Sequence, residues 1–434
     1  MAYGILNLPQ NFFPTVNLAD MGKVALNSVM MVLLALSAPP SWARQRPAPA
    51  GNFDQVAARA EEARNANRIE EAIELYRKAL SLRPRWAEGW WYLGTFLYER
   101  DAFADAAVAL SKATALSPKV GTAWVMLGLC EFKLGRFDEA LMHIRQGRKL
   151  GVSADPQFKQ VMIYHEGILL IGKGEFEQAQ DTLGLLSRDG VENEDVTDAL
   201  GLSALRIRFS DLIAGDSTLR QLVRRAGLAE HLAAQKKFDE ALGEYERLVT
   251  DFPTKPNVQY AFGRYLLTSH DEERAVVAFQ REIENNPTHL QAHLLLANTK
   301  LNLKDFAGGL SYAENAVKLN PQAALGHHIL GSLLLETDQT ARAITELETA
   351  VRLMPNEAKI YFALARAYTR ASRQKDAAAA RATFVRLTKQ VEAAESDAGA
   401  QQSQSAPSDS SEQTRPSRPQ KATKGAKRRL NRNN

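Results

Sequence analysis

The side chains able to carry chemistry are few, and they do not gather into a set. Among eight histidines, His289 and His293 stand four residues apart, which puts them on one helix face, and His327 follows His293 at a 34-residue spacing. A zinc ion asks for three or four ligands at set spacings. The segment HLQAH has no glutamate between its histidines, unlike a zinc-protease helix, and no cysteine lies near enough to complete a set. Gly172-Lys173-Gly174 has the small residues and the cation of a phosphate-binding loop but not the rest of its pattern. Cys130 is the single cysteine, so no internal disulfide framework exists. A reactive thiol needs an exposed, electropositive setting, and Cys130 stands instead in an apolar helical segment, as core filler. The sequence therefore offers no catalytic group, no cofactor site and no metal site, and no small-molecule substrate is expected.

Charge is unevenly placed. The net charge is +4, while the stretch from Arg415 to the end holds eight Lys or Arg and no acid. That stretch, 415–434, can hold an anionic surface or nucleic acid by counterion release. No aromatic residue interleaves its charges, so base stacking is not indicated. With 45% apolar and 24% charged residues, the rest has the composition of an ordinary folded protein.

The element that positions everything is a period. Pro253, Pro287, Pro321 and Pro355 recur at a fixed 34-residue spacing. Twelve residues before them stand Ala241, Ala275, Gly309 and Ala343, and Tyr245, Phe279 and Leu347 follow four later, with Ala313 breaking the rule. Apolar residues three and four apart make each segment an amphipathic helix. Proline ends each unit because it cannot continue a helix. A helical hairpin cannot bury its apolar face alone, so a fixed period of this length means units stacked on their neighbours.

The residues that carry the period resemble the tetratricopeptide repeat (TPR) family. Trp90, Leu93, Gly94, Ala106, Leu110, Ala113 and Pro118 fit its pattern, as do Trp124, Leu127, Gly128 and Ala140. Leu330, Gly331, Ala343, Leu347, Ala350 and Pro355 fit it again, followed by Tyr361, Leu364, Tyr368 and Ala377. The resemblance implies an all-α, right-handed α-solenoid of about nine or ten helix-turn-helix repeats. His293 and His327 then occupy the place that the family usually gives to tryptophan, which reads as packing rather than ligation.

The repeats divide into an N-terminal arm over 53–221, whose last units diverge, and a C-terminal arm over 222–395 closed by a polar capping helix from about Lys375 to Ala394. The distance from Pro118 to Pro253 falls one residue short of four periods. One unit is therefore truncated near 210–221, in an irregular joint about which the arms can move. Before the repeats come a Pro-rich linker over 44–52 and a non-repeat start, 1–43. Within that start Lys23, the apolar run Val24–Ser37 and Ser41-Trp42-Ala43 have the layout of a secretory signal peptide cut after Ala43, with translation beginning at Met21. Residues 396–434 are rich in Gln, Ser and Pro, then basic, and are expected to be disordered.

In this family the first helices line a concave groove. Carried over to this sequence, the groove positions are Trp91 and Tyr98, Phe132 and Lys133, then Tyr260, Arg264, Leu294, Asn298, Leu301, His328, Phe362, Arg366 and Arg370. Aromatic rings and arginines suit capture of a protein segment. The lysines that chaperone-tail-binding members set at the fifth position of each repeat are absent. The expectation is a non-enzymatic, exported binding scaffold acting in the cell envelope or outside the cell. The alternative is a cytoplasmic regulator or assembly factor whose basic tail contacts nucleic acid or an anionic membrane.

Overall fold

The computed structural model describes residues 51–211 and 216–404. Among them are 19 α-helices and no strand, stacked in chain order as the all-α, right-handed solenoid that the period implies. The N-terminal helices are α1 (Gly51–Asn65), α2 (Ile69–Leu82), α3 (Ala87–Glu99), α4 (Phe103–Leu116), α5 (Gly121–Lys133), α6 (Phe137–Leu150), α7 (Pro156–Lys173), α8 (Phe176–Arg188) and α9 (Glu194–Ala204). A 3-10 turn at Phe209–Asp211 precedes α10 (Ser217–Ala234) and α11 (Phe238–Asp251). Then follow α12 (Val258–Thr268), α13 (Glu272–Asn285), α14 (Leu290–Asn302), α15 (Phe306–Leu319), α16 (Ala324–Glu336), α17 (Thr340–Leu353), α18 (Ala358–Arg370) and α19 (Gln374–Gln404).

Small residues do in the fold what the pattern asks of them. A Cβ on Gly331 would lie 2.6 Å from Leu347 Cγ, and one on Gly94 the same distance from Leu110 Cγ. Each such glycine lets the first helix of a repeat lie against the large residue of its second. In five of the first helices the fourth residue ties the helix to the previous unit. Trp90 Nε1 donates to the Pro84 carbonyl at 2.8 Å, Trp124 Nε1 to Pro118 at 2.9 Å, and the Tyr361 hydroxyl to Pro355 at 3.0 Å. His293 and His327 make the same bond through Nε2, to Pro287 at 2.9 Å and Pro321 at 3.0 Å. Proline lacks an N–H but keeps its carbonyl, so the residue that stops one helix anchors the next unit.

The turn inside eight of the hairpins also keeps the period. Asn67, Asp101 and Gly135, and then Lys236, His270, Lys304, Asp338 and Ser372, all take the left-handed conformation at 34-residue intervals. Seven of these eight are not glycine, so the turn signal has no single residue type to advertise it.

Helix α10, the first of the C-terminal arm, starts at Ser217 because Asp216 caps it by accepting the Leu219 N–H at 2.9 Å. One boundary differs from the sequence expectation. The last helix runs to Gln404 rather than ending near Ala394. Residues 396–404 are largely Ser, Ala, Gly and Gln, among which alanine and glutamine support a helix, so the expected disordered tail does not begin at 396. The expected signal peptide, the expected linker up to residue 50 and the basic stretch 415–434 lie outside the described residues.

Candidate partner-binding groove

The thirteen groove positions fall on α3, α5, α12, α14, α16 and α18, all first helices of repeats. They are not equally reachable. Tyr98, Tyr260 and Leu294 are buried, which removes them from any groove surface. Trp91, Phe132, Lys133, Arg264, Asn298, Leu301 and His328 are half-buried, and Phe362, Arg366 and Arg370 are exposed. Tyr98 packs edge-on against Phe103 at 5.2 Å, inside its own hairpin. Phe132 is held between Phe137 at 5.7 Å and His165 at 4.9 Å.

The fifth position of successive repeats explains the pattern. Tyr260 is 2% exposed, Leu294 8% and Phe362 53%. His289, which begins the following unit, packs on Tyr260 with ring centres 4.6 Å apart. A Cβ on Gly326, in the unit after Leu294, would lie 3.5 Å from Leu294 Cδ2. No described repeat follows α18 and α19, so Phe362 has only Phe384 beside it, at 5.6 Å. Phe362, Arg366 and Arg370 on α18 and Arg381, Phe384 and Val385 on α19 bound a cleft of about 610 Å³. Its arginines are braced from behind. Arg366 pairs with Glu336 at 2.7 Å, and Arg370 donates to the Leu335 carbonyl and lies 3.4 Å from Asp338.

At the joint, the groove side chains serve the chain itself. Helix α9 has no second helix of its own, and α10 packs on both α9 and α11. Gly201 and Gly227 let α9 and α10 touch backbone to backbone: a Cβ on either would overlap a carbonyl of the other helix, that of Val223 or of Thr197. With one helix missing, α8 reaches α12. The Tyr260 hydroxyl donates to Glu177 at 3.1 Å, Arg206 pairs with Glu177, and Arg264 donates to Gln180. Burial pushes the Glu177 carboxyl up, but Arg206, its own backbone N–H, Arg264 and Tyr260 outweigh this and hold it below the usual range. Burial holds Glu230 above that range although Tyr245 donates to it. The joint is thus irregular in its helices, and side chains tie the arms across it.

The histidines are spent on structure. His289 caps α14: its Nδ1 accepts the Ala292 N–H at 3.1 Å, so Nε2 carries the proton and donates to Asn257 Oδ1 at 2.7 Å. Burial, helped by Arg206, lowers its pKa to about 4, in keeping with that neutral form. His327 has Glu346 2.6 Å from Nδ1 as well as the Pro321 carbonyl at Nε2. Among the described residues, no group of three His, Cys, Asp or Glu is placed to hold a metal ion. Cys130 is buried, and burial pushes its thiol well up, away from reactivity.

No protein with curated annotation matches this chain. Solved structures of MamA are similar to parts of it. A MamA RS-1 double mutant is 22% identical over 40% of this chain and 97% of its own, with a TM-score of 0.38. A MamA fragment running from residue 41 to the end, from Desulfovibrio magneticus RS-1, is 22% identical over 39% and 96%, at 0.37. A further crystal structure of MamA is 14% identical over 38% and 96%, at 0.36. The tetratricopeptide repeat profile matches residues 57–120, 103–146, 260–324 and 330–394, together just over half of the chain. With hairpins, small-residue contacts and proline anchors all in one phase, this chain belongs to the tetratricopeptide repeat family, as a scaffold for protein interaction.

Proposed function

We propose that the chain is a non-enzymatic scaffold that is exported and holds a segment of a partner protein against its concave face, chiefly in the C-terminal arm. The graded exposure of the fifth position carries this reading. Tyr260 and Leu294 are covered, His328 is half-buried, and Phe362 stands open over a cleft flanked by arginines. A large ring beside forked donors offers area and charge-assisted hydrogen bonds to a peptide backbone or carboxylate. Export rests on the layout of residues 21–43. The basic stretch 415–434 would add a second, electrostatic contact to an anionic surface.

A photo-crosslinking residue placed at 362 tests the groove, with the same residue at Val277, exposed on α13, as control. Crosslinks to a partner from 362 and not from 277 are expected. Equal yields from both positions, or none from 362, would refute the groove. N-terminal sequencing tests export, and a mature chain beginning anywhere but near Arg44 would end that part of the reading.

A further inference from the structure

Deepening that reading, we infer that the occupant of the α18–α19 cleft is an acidic amphipathic helix of the partner, docked where the first helix of one more repeat would lie. The shape of the site comes from the period. Arg381 stands one period after Leu347 and takes the place that Tyr245, Phe279 and Leu347 fill as buried core. Phe384 stands where Ala350 and Ala316 stand, both fully buried. Here the same two places are half-buried or exposed, and Val385 beside them is 47% exposed. An apolar floor thus survives at the end of the stack, in the position where every earlier hairpin receives a helix.

Charge selects the kind of helix. The face continues along α19 past Ala382, Val385 and Arg386 to Lys389. Neither stretch of the cleft is lined by an acidic side chain. Arg381 is held only by the Thr369 hydroxyl at 2.6 Å and Arg386 by the Gln390 amide at 3.4 Å, with no described carboxylate in ion-pair reach. The register names one acidic position. Tyr361 of α18 donates to the carbonyl of Pro355, and one period after Pro355 stands Lys389. A docking helix with a carboxylate in Tyr361's place meets an amine there. A second copy meeting this one through the same face would set cations against cations. The chain's own end is equally unsuited, with eight Lys or Arg and no acid from Arg415 onward.

The probe is a capped, fluorescently labelled peptide of the α18 sequence, residues 358–370, with Lys359, Tyr361, Arg366 and Arg370 replaced by glutamate. Its control is the unaltered basic peptide. Anisotropy titrations with the full chain are expected to show saturable binding of the acidic peptide only, weakening as salt is raised. Phe362→Ala and Lys389→Glu should each weaken it about tenfold, with helicity unchanged because both side chains are exposed. Val277→Ala should leave it unaltered. No binding of the acidic peptide, or equal binding of both peptides, overturns the acidic helix. If crosslinking from 362 still finds a partner, the groove reading survives that loss. If crosslinking fails while the acidic peptide binds, the end cleft stands and the wider groove falls.

Discussion

The solenoid loses its regularity in two places, and the chain treats them in opposite ways. At the joint a second helix is missing after α9. The space is closed by side chains from both arms: Arg206, Glu177 and Tyr260, with Arg264 on Gln180. At the C-terminal end no further repeat is described after α19. There the equivalent surface stays open, with Phe362 exposed and Arg381 and Lys389 facing no described carboxylate. The same repeat position is therefore buried at Tyr260 and left open at Phe362, where we propose recognition. What decides between them is whether a helix follows. Residue type does not decide it, since both are large aromatics.

The strongest way to break this comparison is at the glycine contact of the joint. Gly227→Val would drive a branched side chain into the Thr197 carbonyl, and no rotamer change relieves a clash with backbone. A loss of about 4 kcal/mol or more is expected in urea denaturation, near the top of what single substitutions do. A mild effect would mean that α9 and α10 are not in contact. The direct test of the comparison comes next. Tyr260→Ala should cost about 3–4 kcal/mol, as deletion of a buried aromatic does. Phe362→Ala should cost under about 1 kcal/mol, as befits a half-exposed ring, and instead weaken binding of the acidic peptide about tenfold. Equal stability losses at the two positions would erase the distinction between joint and end.

Acid should probe the joint. His289 has a pKa of about 4 in the folded chain and about 6.5 when unfolded. The unfolded chain therefore takes up the proton first, and stability supplied by neutral His289 is present above about pH 6.5 and lost as pH falls towards 4. Glu230 and Glu282, both raised by burial, work in the opposite sense, so the readout is a difference between variants. His289→Asn keeps a good cap for α14 and removes the titration. Its stability should fall less than the parent's between pH 6.5 and 4, by up to about 3 kcal/mol. Parallel curves would show that His289 is not held neutral beside Arg206.

Most of the architecture was legible in the sequence because it repeats. Prolines that stop helices, small residues that admit neighbours and large residues that fill the gap recur at fixed distances, and local rules at each copy confirm the others. The joint was not legible in the same way. Gly201 meets Val223, and Glu177 meets Tyr260 from far along the chain, and neither pairing has a periodic partner to betray it. Burial of groove positions was misread for a related reason. Tyr98, Tyr260 and Leu294 occupy first-helix positions that the family assigns to a groove. Whether such a side chain is reachable depends on what the same and following units place over it, as Phe103, His289 and Gly326 do here. The tie between proline carbonyls and His293 or His327 could have been read earlier, since Trp90, Trp124 and Tyr361 stand in the same phase and all can donate.

At the exposed end, Arg366→Glu with Arg370→Glu should abolish capture of an acidic segment while stability falls by only about 1 kcal/mol, mostly from setting new glutamates near Glu336 and Asp338. Retained affinity would show that these two arginines serve only as braces for α16.

The smallest effect separates the regular repeats from both exceptions. Lys304 and Lys236 hold the left-handed conformation in two turns, with φ of 62° and 63°. An L side chain there crowds its own carbonyl, which costs about 1–2 kcal/mol relative to a right-handed residue, whereas glycine pays little. Against this, glycine frees the unfolded chain and so gives back part of the gain. Lys304→Gly is therefore expected to raise stability by about 0.5–1 kcal/mol, and Lys236→Gly, beside the joint, by the same amount, as read from urea midpoints. Gly135 already fills this position in the third repeat at φ 74°, so the change is one the fold accommodates. Equal gains at both turns would show that the joint's irregularity stops at α10. A gain at Lys304 with none at Lys236 would mean that the strain of the missing helix reaches into the next hairpin.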